Sequence, residues 1–168
     1  MITLTTERLI LRVHTATDLD ACAALWADPA VVTFVGNKVS TREQSWARLQ
    51  RYVGHWQLFG YGFFAVVDRV TGDYVGEVGM ANFERDITPP VGAFETGWVL
   101  AKAAQGRGLA SEALRAVLDW TDVAFPNQTT TCIIDVNHVA SLRVAEKAGY
   151  RERIRTTYHD DACILLDR

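Results

Sequence analysis

The chain has 168 residues, a formal net charge of −3, 49% hydrophobic and 22% charged residues. These values exclude a disordered chain, a collagen-like or disulfide-framework chain, and a polyanion binder built on basic excess. They leave a globular chain, read as one domain over 1–168, that buries about 70% of the surface it exposes when unfolded.

The start, Met1–Val13, has no basic segment ahead of an apolar one, so no secretory leader is expected. No apolar run approaches the ~20 residues of a membrane span, and a cytoplasmic protein is the expectation. Leu9–Val13 reads as a strand, and Asp18 to Trp26 as an Ala-rich helix with Thr17 as N-cap. Asp28–Ser40 reads as a loop. Thr41 to Gln44 resembles a capping box, with Ser40 or Thr41 as N-cap, that opens a second helix whose apolar residues Trp46, Leu49, Val53 and Trp56, with Leu58 as a further candidate, share one face. Phe63–Asp68 and Tyr74–Phe83 read as a hairpin joined through Thr71-Gly72-Asp73, followed by a polar loop over Glu84–Pro90. Ala93–Leu100 is a further strand. Gly108–Ala124 is a helix with Ala110, Ala113, Leu114, Val117, Leu118 and Thr121 at helical spacing. Thr129–Val136 is a strand, Ala140–Ala148 a helix stopped by Gly149, and Tyr150–Thr157 and Ala162–Leu166 close the chain as strands. This order predicts an α/β (α+β) fold with a mixed antiparallel and parallel sheet flanked by helices.

Cys22, Cys132 and Cys163 lack paired spacing, and His14, His55, His138 and His159 lack metal-ligand spacing. Buried reduced thiols and satisfied or surface histidines are expected, with no metal. The chemically richest segment runs from Val99 to Ala110, where a strand ends, a loop with Gly106 and Gly108 follows, and a helix begins. Unpartnered N–H groups and the positive end of the helix dipole suit a phosphate or pyrophosphate there, with Arg107 as an added donor. Taken alone, the same glycines also read as an ordinary turn. A nucleotide-phosphate enzyme lacks support, because the loop has no GK[ST] ending and no third glycine.

Three segments in order carry a resemblance. Gln105-x-x-Gly108-x-Ala110 resembles the Q/R-x-x-G-x-G/A signature of the GNAT superfamily of acyl-CoA-dependent N-acetyltransferases. The run Asn137 to Tyr150, with Ser141, Glu146, Lys147 and Gly149, resembles its N-x-x-[AS]-x-x-[LV]-x-E-K-x-G-[FY] segment. The opening Leu4 to Arg12 resembles the L-x-T-E-R-L-x-L-R start of the RimJ/RimL-like branch of ribosomal-protein N-terminal acetyltransferases. The resemblance covers essentially the whole chain. It implies the GNAT fold, with a sheet of about seven strands splayed after the fourth and about four flanking helices.

The resemblance further implies acetyl-CoA as acyl donor. Its pyrophosphate would lie on Gln105, Gly106, Arg107, Gly108, Leu109 and Ala110. Its pantetheine arm would pair with the backbone of Val99 and Leu100, and Asn137 would bond the arm. For Asn137 a turn asparagine before a helix is the alternative. The reaction would be direct aminolysis of the thioester, with a backbone N–H near Val99 stabilising the oxyanion. Glu95, in a strand resembling the family's E-[IT]-G-[YW], is the candidate base; an exposed glutamate or an ion pair is the alternative reading, and Glu77 and Glu84 are weaker candidates. Ala145 stands where the family commonly has its acidic tyrosine, a departure that puts the usual acid in doubt. Ser141, one helical turn earlier, is the candidate acid, and a serine bonding its own helix backbone is the alternative. Tyr150 is expected in the core. Trp46 and Trp56 are candidates for a wall of the acceptor site. The acceptor would be a peptide N-terminus or a small amine, bordered by Asp28–Ser40 and Glu84–Pro90. No nucleic-acid or membrane partner is expected, and a homodimer through a sheet edge is compatible with the family. The competing function is a non-catalytic acyl-CoA-binding regulatory module.

Overall fold

The computed structural model describes residues 2–168. Eight strands form one sheet: β1 (Thr3–Thr5), β2 (Leu9–Val13), β3 (Phe63–Asp68), β4 (Tyr74–Ala81), β5 (Glu95–Leu100), β6 (Thr131–Asp135), β7 (Arg151–Tyr158) and β8 (Asp161–Asp167). Five helices flank it: α1 (Leu19–Ala27), α2 (Pro29–Val32), α3 (Arg42–Phe59), α4 (Leu109–Ala124) and α5 (Val139–Lys147). The spatial order is β1-β2-β3-β4-β5-β6-β8-β7. Every neighbouring pair is antiparallel except β5 and β6.

The expected mixed α/β architecture is present, with two elements more than the sequence suggested. Strand β1 holds three residues around Leu4, too few to show an alternating pattern, and pairing with β2 defines it. Helix α2 is a single turn inside the segment read as the Asp28–Ser40 loop. Asp28 Oδ1 accepts from Ala30 N–H at 2.9 Å, and Pro29 occupies the first helical position, where its missing N–H costs nothing.

Helix α3 begins at the expected box: Thr41 Oγ1 accepts from Gln44 N–H and Gln44 Oε1 accepts from Thr41 N–H. Its buried face differs from the apolar stripe. Ser45, Leu49, Tyr52 and His55 are buried, whereas Trp46 and Val53 are exposed. Apolar spacing misses this face because Tyr52 and His55 bring their own partners inward: Tyr52 OH donates to Glu77, and His55 pairs with Tyr61 C=O and Asn82 N–H. The start of α1 is also corrected. A 3₁₀ turn, Ala16–Asp18, precedes it; Asp18 accepts from Thr15 N–H and from both outer nitrogens of Arg12, and Thr17 is not the cap.

Helix α4 packs under β4 and β5, and α5 under β6, while α1 and α3 cover the opposite face of the first half-sheet. The main core between the sheet and α4 includes Phe64, Val66, Val78, Met80, Leu114 and Val117, all fully buried. Where β3 and β4 approach, a Cβ at Gly79 would lie 2.3 Å from Gly62 O, so only glycine fits. The three cysteines are buried and free, as expected. Among the described residues no helix is long and apolar enough to cross a membrane.

Candidate active site

The sheet opens where its one parallel pair meets. Strand β5 pairs with β4 over all six residues and β6 pairs with β8 over all five, yet β5 and β6 touch at one position, Glu95 opposite Thr131. Beyond it the strands diverge, as the splay after the fourth expected strand implies. Backbone directions follow from alternation. Phe94 C=O accepts from Thr131 N–H and Ala101 N–H donates to Val75 C=O, so the backbone groups of Trp98 and Leu100 face the gap while those of Val99 face β4. This corrects the expected backbone role of Val99: its side chain lines the cleft, and the gap-facing N–H groups belong to its neighbours. Leu100 C=O is already engaged by Gln105 Nε2 at 3.0 Å, so Gln105 braces the strand end.

The cleft is a cavity of about 340 Å³ that brings Glu95, Val99 and Ser141 to one site. Glu95 is buried, and Arg85 grips both its oxygens, Nε at 2.5 Å and Nη2 at 2.6 Å. Burial pushes the Glu95 carboxyl above the usual carboxylate range despite Arg85. The ion-pair reading therefore describes Glu95 as it stands, inside the cleft. Arg85 comes from the Glu84–Pro90 loop and also donates to Tyr158 OH. Trp26 lines the cleft; Trp46 does not, and Trp56 packs against Phe64 and Trp120, donating its N–H to Phe63 C=O.

Ser141 is buried at the cleft wall, with Oγ 3.3 Å from His138 Nε2. His138 also lines the cleft, and its ring stacks on Phe34 at 4.5 Å and 17°. Burial holds the imidazole below its ordinary pKa, with Asp135 opposing. The Oγ to Nε2 contact fixes the Ser141 hydroxyl against the ring at the cleft wall. Sequence reasoning missed His138, because histidine at a helix start has no periodic signature; its position three residues before Ser141 was the available clue. Ala145 is fully buried, and Tyr150 OH lies 2.9 Å from both Thr96 Oγ1 and Thr130 Oγ1. Burial pushes the Tyr150 phenol up to about 12, consistent with a core role.

Glu77 lies behind the cleft wall, fully buried, accepting from Tyr74 OH at 2.8 Å, Tyr52 OH at 2.9 Å, Trp26 Nε1 at 3.1 Å and Cys22 Sγ at 3.3 Å. Four donors occupy its lone pairs, so it acts as a structural hub that fixes Trp26 and Tyr52. Glu84 is exposed and bonds Asn82.

The glycine loop lies past the C-terminal end of β5. Gly106 and Gly108 take φ of +74° and +77°, and Gly108 caps α4. Leu109 is buried, so it offers only its backbone N–H, which with those of Ala110 and Ser111 opens the helix without intrahelical partners. Arg107 is exposed, its Nη2 3.8 Å from Asp68. Arg8 explains the opening motif: it donates to Arg107 C=O at 2.9 Å and clamps Glu112 in the first turn of α4, joined there by Thr6. The N-terminal segment thereby holds the loop in shape. Asn137 is exposed and lies outside the residues that line the cleft, its N–H donating to Asp135 Oδ1. These donors and the open front at Gly106 fit a pyrophosphate and an amide-bearing arm.

Residues 8–151 match the acetyltransferase (GNAT) domain family. A solved GnaT-family acetyltransferase from Bordetella pertussis is 31% identical, with a TM-score of 0.89 over 100% of this chain and 99% of that one. The uncharacterised protein YkkB of Bacillus subtilis is 29% identical over 90% of this chain and 88% of its own length. RimL, a ribosomal-protein α-N-acetyltransferase solved in complex with coenzyme A, is 16% identical with a TM-score of 0.81 over 99% of this chain and 97% of that one, which establishes shared fold.

Proposed function

Because the chain belongs to the GNAT acetyltransferase family, we propose that it transfers an acetyl group from acetyl-CoA to a primary amine, on a protein N-terminus or a small molecule, by direct aminolysis. The observation that carries this reading is the β5–β6 gap, which opens into a cleft holding Glu95 and Ser141 with the glycine loop beyond the end of β5. Acetyl-CoA supplies a thioester. The chain supplies the N–H groups of Leu109 and Ala110, with Arg107, for its pyrophosphate, and the gap-facing backbone of Trp98 and Leu100 for its amide arm. The side chain of Asn137 would bond that arm.

Glu95 accepts the amine proton. Its raised pKa makes it a better base than an exposed carboxylate, and Arg85 keeps enough of it ionised. A gap-facing N–H, that of Trp98 or Leu100, would stabilise negative charge developing on the carbonyl oxygen. Ser141, oriented by His138, donates a proton toward the leaving sulfur, a modest aid because a free thiol already ionises near pH ~8.5. Thiol release from acetyl-CoA with a panel of amines tests the reading, and Glu95→Gln should lower the rate about 10²–10⁴-fold. Two observations favour a second reading, a regulatory acyl-CoA-binding module: Ala145 in place of the family tyrosine, and the grip of Arg85 on Glu95. Tight acetyl-CoA binding with no thiol release from any amine would establish it.

A further inference from the structure

The α3 wall of the cleft carries two arginines for which no salt bridge forms among the described residues, although Glu95 and Asp135 also line the cleft. Arg48 and Arg51 line it, three residues apart on α3 and so on neighbouring lines of one helix face. Each is set against an aromatic ring: the Arg48 guanidinium lies 3.6 Å over Trp26, and Arg51 lies 5.8 Å from the Phe83 ring, which also carries Arg85 at 4.5 Å. Arg85 is committed to Glu95. Arg48 gives one N–H to Ser40 Oγ at 3.2 Å. Among the described residues neither Arg48 nor Arg51 forms a salt bridge, although the chain has 20 acidic residues against 17 basic ones. A groove beside the cleft shares both arginines, adds Lys38, and has no acidic residue in its wall.

Ring faces fix a guanidinium plane while leaving its N–H edge free, and that edge matches the two oxygens of a carboxylate. The coenzyme phosphates are poor candidates for this charge. Their loop follows the far end of β5, roughly 17 Å along the strand from the Glu95 end, where Arg51 shares the Phe83 ring with Arg85. Resting on the acetyltransferase reading above, we propose that the acceptor is an amine that also carries a carboxylate, which Arg51 and Arg48 hold while the amine faces Glu95. The cations do a second service. They favour the uncharged form of an incoming ammonium, which is the form that attacks.

The carboxylate could belong to a small amino acid or to the second side chain of a peptide, and two matched pairs separate these sources. The acceptors are β-alanine against β-alaninamide, and C-amidated Ser-Glu against C-amidated Ser-Gln. In at least one pair the carboxylated member should exceed its amide about ten-fold in kcat/KM, the worth of one charge-assisted contact. The pair that shows the ratio names the source. Arg51→Gln, on an exposed position, should collapse the ratio toward one with the KM for acetyl-CoA unchanged. Arg48→Gln should do the same. Equal rates within both pairs, or a ratio that survives Arg51→Gln, overturns the proposal. So does a raised KM for acetyl-CoA with the ratio intact, which would give the arginines to the donor. If no amine releases thiol, the acetyltransferase reading fails separately. Saturation-transfer NMR on protein saturated with coenzyme A then decides the charge question: carboxylate-selective binding lost in Arg51→Gln supports it, and equal binding of acid and amide refutes it.

Discussion

Replacing Arg85 with glutamine should damage stability and the pH profile together, by amounts the geometry sets. Glu95 is buried and receives two short charge-assisted bonds from Arg85, whose own side chain is 27% exposed. Removing one partner of a fully buried pair costs about 3–5 kcal/mol, and solvent at the guanidinium lowers that to about 2–3 kcal/mol here. For a chain of this length, that is a drop in Tm of about 5–10 °C. The sign with pH is specific. Burial already holds the Glu95 pKa above its unfolded value, and loss of Arg85 raises it further. A carboxyl with a raised folded pKa binds its proton more tightly when folded. The deficit of the variant is therefore largest at neutral pH and shrinks as pH falls toward the unfolded value near ~4.3. Thermal melts of wild type and variant from pH 5 to 8 read this difference. The double variant Arg85→Gln, Glu95→Gln should recover most of the loss, because no charge is then left buried. In activity, the rising limb of the kcat/KM profile should move up by about one pH unit or more. An unchanged Tm across this range, or additive losses in the double variant, refutes the assignment of Arg85 as the partner that keeps Glu95 ionised.

Acid should weaken the fold before any carboxylate of ordinary pKa titrates. Burial holds His14, His55 and His138 all below the usual histidine value, so stability is full above pH ~6.5 and falls below it by up to about 1.4 kcal/mol per pH unit for each; urea midpoints that stay flat from pH 7.5 to 5.5 contradict this. Gly79→Ala should cost about 3 kcal/mol, because the new methyl meets the backbone of Gly62 and Phe63 rather than a movable side chain; a native Tm for this variant would show that the strands can spread. His138→Phe keeps the stack on Phe34 but removes the bond to Ser141, so kcat should fall about ten-fold with the KM for acetyl-CoA unchanged; an unaltered kcat would leave Ser141 acting alone.

Much of the fold is legible in the chain because its determinants are local. The Thr41–Gln44 box, the α4 stripe and the glycine loop each declare themselves within a few residues, and all three stand where the pattern puts them. Patterns that depend on a partner are not legible. Strand β1 exists through β2, and the inward face of α3 exists because Glu77 waits behind it for Tyr52. The motif around Arg8 could be recognised but not explained until its contacts with the glycine loop and Glu112 were seen.

The site divides along the same line. Sequence alone identified the family through motifs carried within short segments, and the resemblance singled out the glycine loop, Glu95 and Ser141 as candidates. Tertiary structure decided what surrounds them. It put Arg85 on Glu95, His138 beside Ser141, and Arg48 and Arg51 into the cleft wall, and it turned the backbone of Val99 away from the gap. Charge pairing, burial and strand divergence are relations between segments far apart in the chain. They set the electrostatics of the cleft only after the sheet has closed around it.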